Sequence, residues 1–258
     1  MRKVKKKIHL TINFQSDNIL AGDIMIYVIV GPTGVGKTKL SIMLAKKLNG
    51  IVLNADSMQI YKELNIGTAK IKEEEKEGIP HYLFDIKSIT EDYNAFCYQE
   101  DGRKLLDENK DKNIIIVGGT GLYIKALLYD YKFENIGNIH KPLYNFKIIG
   151  LTRNREDLYE IINKRVNEMI HEGLIEEANE LYDKKIKSRA LNTAIGYKEL
   201  FEYFDNKITI EEAVDKIKQN SRHYAKRQYT FFNNQFKDIK WYDIDTMSFE
   251  EIVDSILK

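Results

Sequence analysis

The stretch Gly31-Pro32-Thr33-Gly34-Val35-Gly36-Lys37-Thr38 matches the spacing G-x-x-x-x-G-K-[ST]. Glycines let a backbone curl around an anion, so that successive N–H groups and the following helix N-terminus point at it. Lys37 adds a mobile positive charge, and Thr38 a hydroxyl suited to Mg²⁺. The chemistry encoded is the grip of a phosphate chain; nothing in the motif specifies a nucleoside. A second group lies in Asn54-Ala55-Asp56-Ser57-Met58-Gln59. Asp56 follows an apolar run and reads either as a general base beside bound phosphates or as an N-cap for the segment from Ser57. Gly118, Gly119 and Gly121 form another glycine-rich entrance, where Thr120 can donate a hydrogen bond to that carboxylate or to a substrate. The same residues also read as a plain strand-to-helix turn.

Residues 216 to 228 carry Lys216, Lys218, Arg222, Lys226 and Arg227 and no acid. Arg222 and Lys226 lie one helical turn apart, which suits a nucleic-acid phosphate backbone, and a single arginine there suits a phosphate leaving group. Tyr229, Phe231 and Phe232, which follow, read as core residues. His81 and the other four histidines show no metal-ligand spacing. Arg153, Arg155 and Arg165 could face phosphates or solvent. An NTPase normally carries a metal-holding carboxylate after a second apolar strand. Here the run from Ile114 to Val117 ends in Gly-Gly-Thr, and the other candidate, Asp85, lies outside the clean strand series.

The elements that must position these groups alternate in type. Apolar runs at 26–30, 51–55, 113–119 and 146–151 read as strands. The segments after the first, third and fourth carry apolar residues at helical spacing, as with Leu40, Met43, Leu44 and Leu48. This alternation predicts an α/β fold, a P-loop NTPase-like parallel sheet with helices on both faces, followed by a helical C-terminal part. Ligands in such sheets gather beyond the carboxyl ends of the strands, the edge from which all the singled-out loops leave.

Composition sets outer limits. Forty Lys and Arg against 39 Asp and Glu leave a net charge of +1, so attraction to nucleic acid must come from a local surface. A single cysteine, Cys97, excludes an intramolecular disulfide and fits a reducing cytoplasm. It reads as a small core residue. No apolar run reaches membrane-spanning length and the N-terminus lacks a secretory stretch, so a cytoplasmic protein without membrane contact is expected. Residues 1–24 begin with the basic run Met1 to Lys7 and read as a disordered tail, with a nucleic-acid-binding arm as the alternative. Residues 25–258 read as a single domain.

Taken together, the segments GPTGVGKT, NADSMQIY, NIGTAK, PHYLFDI, VGGTGLYIKALLYDY, IGLTRNREDLY and AIGYKEL…NSRHYAKRQYTFF resemble the bacterial tRNA isopentenyltransferase family, in order from about residue 26 to 242. The resemblance implies transfer of a dimethylallyl group from dimethylallyl diphosphate to N6 of the adenosine 3′ of the anticodon, position 37, in tRNAs reading codons that begin with U. It implies Gly31 to Thr38 and Mg²⁺ on the diphosphate, with Thr38 on the metal. It further implies Asp56 as general base, with Ser57, Met58 and Gln59 on the flipped base. Thr120 would orient base and carboxylate, Arg227 would meet the departing diphosphate, and Arg222 and Lys226 would face the tRNA anticodon loop. A monomer is expected. One departure stands out: the helical insertion usual in the family is reduced here to about residues 131–145, which leaves tRNA recognition open. A small-molecule or nucleotide kinase and a tRNA-binding protein without activity are the alternative readings.

Overall fold

Tyr27 and Ile29 point to one side of the strand β1 (Ile26–Val30), Val28 and Val30 to the other, and all four are buried. That two-sided burial belongs to a parallel strand covered by helices on both faces. The computed structural model describes residues 25–134, 141–186 and 188–258. The basic tail expected at 1–24 and the middle of the segment expected as a reduced insertion, 135–140, lie outside them.

After β1 the chain runs through α1 (Lys37–Leu48), β2 (Ile51–Asn54), β3 (His81–Tyr82), α2 (Ala95–Glu108), β4 (Ile114–Val117), α3 (Gly121–Leu128), β5 (Phe146–Thr152) and α4 (Arg155–His171). It continues through α5 (Leu174–Asp183), α6 (Arg189–Thr193), α7 (Tyr197–Phe204), α8 (Ile210–Gln235), β6 (Ile239–Asp243) and α9 (Phe249–Leu257). The strands form one sheet in the order β3-β2-β4-β1-β5-β6, and every pairing is parallel. The four apolar runs of the sequence are β1, β2, β4 and β5. The short edge strands β3 and β6 and the helix α2 carry no equivalent run.

Two apolar layers sandwich the sheet. Tyr27, Ile29 and Val52 pack with Leu40 and Leu44 of α1 and Ile252 and Ile256 of α9; Val28, Leu53 and Ile116 pack with Tyr98 of α2 and Ile124 and Leu127 of α3. A third cluster, built from α5, α6, α7 and the first half of α8, includes Leu174, Leu191, Tyr197, Leu200 and Ile217. The long helix α8 begins with a capping box between Thr209 and Glu212, which satisfies N–H groups at both positions. It contributes Ala225 to one layer and Phe232 to the other. Phe232 is fully buried, as expected of a core aromatic, whereas Tyr229 is exposed beside Trp241. Cys97 is only half-buried on α2.

The order of the strands fixes where a ligand belongs. The chain passes from β1 over the position of β4 to β2, and later returns to fill that gap before crossing to β5 on the other side. The reversal opens a crevice outside the carboxyl ends of β1, β2 and β4. Among the described residues no helix is long and apolar enough to cross a membrane.

Candidate active site

The loop from Gly31 to Thr38 joins β1 to α1 and is built by backbone conformations that glycine tolerates. Gly34 and Gly36 have φ of 81° and 92°, and Gly36 caps α1. Gly31, Pro32 and Val35 are buried, Val35 completely, and pack beneath the loop. Thr33, Gly34, Gly36, Lys37 and Thr38 line a cavity of about 450 Å³. Lys37 Nζ donates to the Pro32 carbonyl at 2.7 Å, which curls the side chain over the loop. Burial pushes the Lys37 pKa down to about 7; Asp56 opposes the fall and the cation Arg165 adds to it.

Asp56 stands at the carboxyl end of β2, held by its neighbours. Its backbone N–H donates to Asn54 Oδ1 at 3.0 Å, and one carboxylate oxygen accepts from the Met58 N–H at 2.9 Å. Asn54 is itself fixed, its amide donating to Leu83 O at 2.9 Å and its carbonyl accepting from the Tyr98 hydroxyl at 2.9 Å. An Asx-type turn uses only one carboxylate oxygen, so the capping geometry leaves Asp56 able to line the P-loop cavity and the one next to it. Thr120 comes alongside from the end of β4. Its hydroxyl accepts from the Ser57 N–H at 3.0 Å and lies 3.3 Å from Ser57 Oγ. Both contacts are to Ser57, the residue next to Asp56.

A second cavity, of about 340 Å³, meets the first at Thr33, Asp56, Thr68 and Arg165. Its walls include Met58, Val166, Met169, Leu174, Ile195 and Ile217, so it is mainly apolar, while Ser57, Tyr224, Lys198 and Arg227 supply polar groups. Gln59 faces the first cavity, but its amide donates to Thr68 O at 3.0 Å and holds the loop of residues 65–70. That loop is also clamped from outside. The Glu177 carboxylate accepts from the N–H groups of Asn65, Ile66 and Gly67 at 3.0–3.2 Å and from the Tyr197 hydroxyl at 2.5 Å.

The basic row of α8 divides. Arg227 is exposed and lines only the second cavity, its guanidinium 5.8 Å from the Tyr224 ring. It does not line the cavity over the P-loop. Arg222 turns to Asn163 Oδ1 at 2.5 Å, and Lys226 is exposed to solvent; neither lines the two cavities. The arginine that does reach both cavities is Arg165 of α4. Burial lowers its pKa, with Asp56 and Glu168 acting in the opposite direction. Its signal in the sequence is its place between Ile161, Ile162 and Met169 on the apolar stripe of α4, where a lone guanidinium needs an anion.

Sequence reasoning passed over Gln228 and weighed His81 only as a metal ligand or a structural residue. Gln228 is buried and bridges two loops, accepting from the Thr33 N–H at 2.8 Å and donating to Gly119 O at 3.2 Å. His81 lines the P-loop cavity with Nδ1 2.8 Å from Ile79 O, and burial lowers its pKa. No group of three or more His, Cys, Asp or Glu is placed to hold a metal among the described residues. The Thr38 hydroxyl at the helix N-terminus fits Mg²⁺ carried chiefly by phosphate oxygens and water, which needs few protein ligands.

A cavity lined by Lys37 and Arg165 that opens, past a carboxylate, into an apolar second cavity suits a transferase built on a P-loop-like α/β fold. A family model described as IPP transferase matches residues 59–143 and 132–235. The tRNA dimethylallyltransferase of Anoxybacillus flavithermus is 41% identical over 295 aligned residues, covering 90% of this chain and 94% of the relative; that of Geobacillus kaustophilus is 44% identical, covering 84% and 90%. The crystal structure of the full-length tRNA isopentenylpyrophosphate transferase of Bacillus halodurans superposes with a TM-score of 0.83 at 38% identity, covering 90% of this chain and 94% of that one. The chain belongs to the IPP transferase family.

Proposed function

We propose that the protein transfers a dimethylallyl group from dimethylallyl diphosphate to N6 of the adenosine at position 37 of tRNAs reading codons that begin with U. The observation that carries this reading is the position of Asp56 at the junction of the two cavities, with Arg165 beside both. The donor diphosphate lies against the amides of Gly34, Gly36, Lys37 and Thr38, and the adenine, flipped out of the anticodon loop, enters from the apolar side. Between them the new C–N bond forms at the allylic carbon as the C–O bond to diphosphate breaks. The diphosphate departs with the bonding electron pair, and the N6 proton passes to Asp56. An aromatic amine has its lone pair drawn into the ring, so loss of that proton as the bond forms favours attack. Lys37 and Arg165 meet the charge that grows on the leaving oxygen. Mg²⁺ on the diphosphate, with Thr38 as its protein ligand, supplies further neutralisation.

Exposed Arg227 and half-buried Lys198, both lining the second cavity, suit the RNA backbone. The family-model match in two stretches that overlap at 132–143, together with an alignment far longer than the part of this chain that takes part in it, supports a reduced insertion. The reading assigns a cytoplasmic, monomeric enzyme. Incubation with dimethylallyl diphosphate, Mg²⁺ and unmodified tRNA, followed by nucleoside analysis, yields N6-dimethylallyladenosine. Absence of that product with several tRNAs reading codons that begin with U sinks the proposal. Phosphate transfer from ATP would replace it with a kinase, and tRNA binding without product with an inactive binder.

A further inference from the structure

The Gln228 side chain hydrogen-bonds to both glycine-rich loops of the site. Its Oε1 accepts from the Thr33 N–H in the P-loop at 2.8 Å, and its Nε2 donates to the Gly119 carbonyl after β4 at 3.2 Å. One turn earlier on α8, burial raises the pKa of the Tyr224 hydroxyl while Asp56 adds to the rise and the neighbouring Thr120 and Gln228 oppose it. The amide is 4% exposed, so both bonds are shielded from competing water. It fits without slack, because a methyl group on Gly119 would collide with Nε2. A phosphate-binding loop needs its amides fixed before the anion arrives, since disorder there is paid for in affinity. The backbone of Gly31, Gly34 and Gly36, each at positive φ, does not fix itself.

We propose that Gln228 is a positioning residue for the donor diphosphate: by holding Thr33 and Gly119 from the core helix, it sets the P-loop in its anion-binding shape. This rests on the P-loop holding the diphosphate, and acts through the loop rather than by touching the substrate. The role requires one acceptor and one donor on a single flat group, a pairing that glutamine supplies and that glutamate supplies only when protonated. Ionised, a glutamate at 228 keeps the bond to Thr33 but faces the Gly119 carbonyl with a lone pair and adds a negative charge to the cavity wall.

The test uses inorganic pyrophosphate with Mg²⁺ as the probe, titrated calorimetrically into the full chain. Gln228→Met, similar in length but unable to make either bond, is expected to weaken binding about tenfold, the consequence of leaving two buried partners unmatched. Gln228→Glu is expected to bind more weakly still at about pH 8 and to recover toward the parent at about pH 6, since a buried carboxyl of this kind titrates far above its ordinary range. Gly119→Ala, which displaces the amide without altering it, reproduces the loss seen with Gln228→Met. Circular dichroism and thermal melting show which variants are folded. Folded variants that bind pyrophosphate as tightly as the parent, or a Gln228→Glu profile parallel to the parent's, overturn the proposal. Tight pyrophosphate binding by the parent without prenyl transfer would instead overturn the proposed reaction and leave the role of Gln228 intact.

Discussion

The Ser57 N–H donates to the Thr120 hydroxyl at 3.0 Å, a bond between residues 63 positions apart that stitches the end of β2 to the end of β4 immediately beside Asp56. With the Met58 N–H on one carboxylate oxygen, this seam leaves Asp56 rigid and aimed at the junction of the cavities. Asp56→Ala is expected to lower kcat for prenyl transfer by about a hundredfold or more, in line with loss of a general base. Pyrophosphate binding should persist, since the P-loop amides are untouched. Equal loss of both would mark Asp56 as a structural support.

Arg165 lines both cavities and Arg227 only the second. Arg165→Ala is expected to reduce kcat about a hundredfold, the scale seen when one preorganised donor to a developing anion is removed. Arg227→Ala should mainly raise KM for tRNA, and that increase should shrink at higher salt because the contact is to a phosphate backbone. Single-turnover rates at saturating tRNA discriminate the two; a large fall in the Arg227→Ala rate would restore that residue to the leaving group.

Lys37, with its pKa lowered to about 7, makes donor binding depend on pH. Bound diphosphate stabilises the ammonium, so above about pH 7 binding takes up a proton and affinity falls by as much as tenfold per pH unit. Lys37→Arg, always charged, should flatten that slope in a calorimetric titration. For stability the sign is reversed from a favourably paired lysine. Burial of the ammonium costs stability below about pH 7, and the cost fades as pH rises toward the ordinary lysine value, where the unfolded chain also loses its proton. Lys37→Met should therefore raise the melting temperature of the ligand-free protein at pH 6 to 7 while abolishing pyrophosphate binding.

Glu177 serves three backbone N–H groups and the Tyr197 hydroxyl at once. Glu177→Ala strips all four and is expected to cost about 2 kcal/mol in urea denaturation. Because Thr68 lines both cavities, KM for donor and for tRNA should rise together. A variant with unchanged stability and kinetics would show that the loop of residues 65–70 holds its own shape.

Much of this was legible from residue order. The P-loop declared itself because glycine spacing, a preceding apolar strand and a following helix are local properties, and β1, β2, β4 and β5 because they are buried on both faces. The strand β6, Ile239–Asp243, carries Lys240 and Asp243 at the sheet edge and so shows no apolar run; β3 is two residues long after Pro80. The buried stripe of α2 runs from Ala95 and Tyr98 to Leu106 through polar Gln99 and through Gly102, which packs against Leu127, so it shows no apolar helical spacing in the sequence. Which of Arg153, Arg155 and Arg165 lines the cavities, and where Gln228 stands, were not legible for a different reason. Each is decided by what a separate element brings opposite it, and α4 and α8 meet the P-loop only after the sheet has formed.

The bridge between Tyr129 and Pro142 has a consequence beyond catalysis. Asp130 donates its N–H to Lys141 O at 2.9 Å and Leu143 to Leu128 O at 2.8 Å, so the two feet of the segment between α3 and β5 are stapled together at the rim of the sheet. With the feet pinned, lengthening the span between them adds only a slowly growing entropic cost and transmits no strain to the strands. The junction between α3 and β5 is thus a port at which chain length can be added or removed while the sheet and its cavities stay the same.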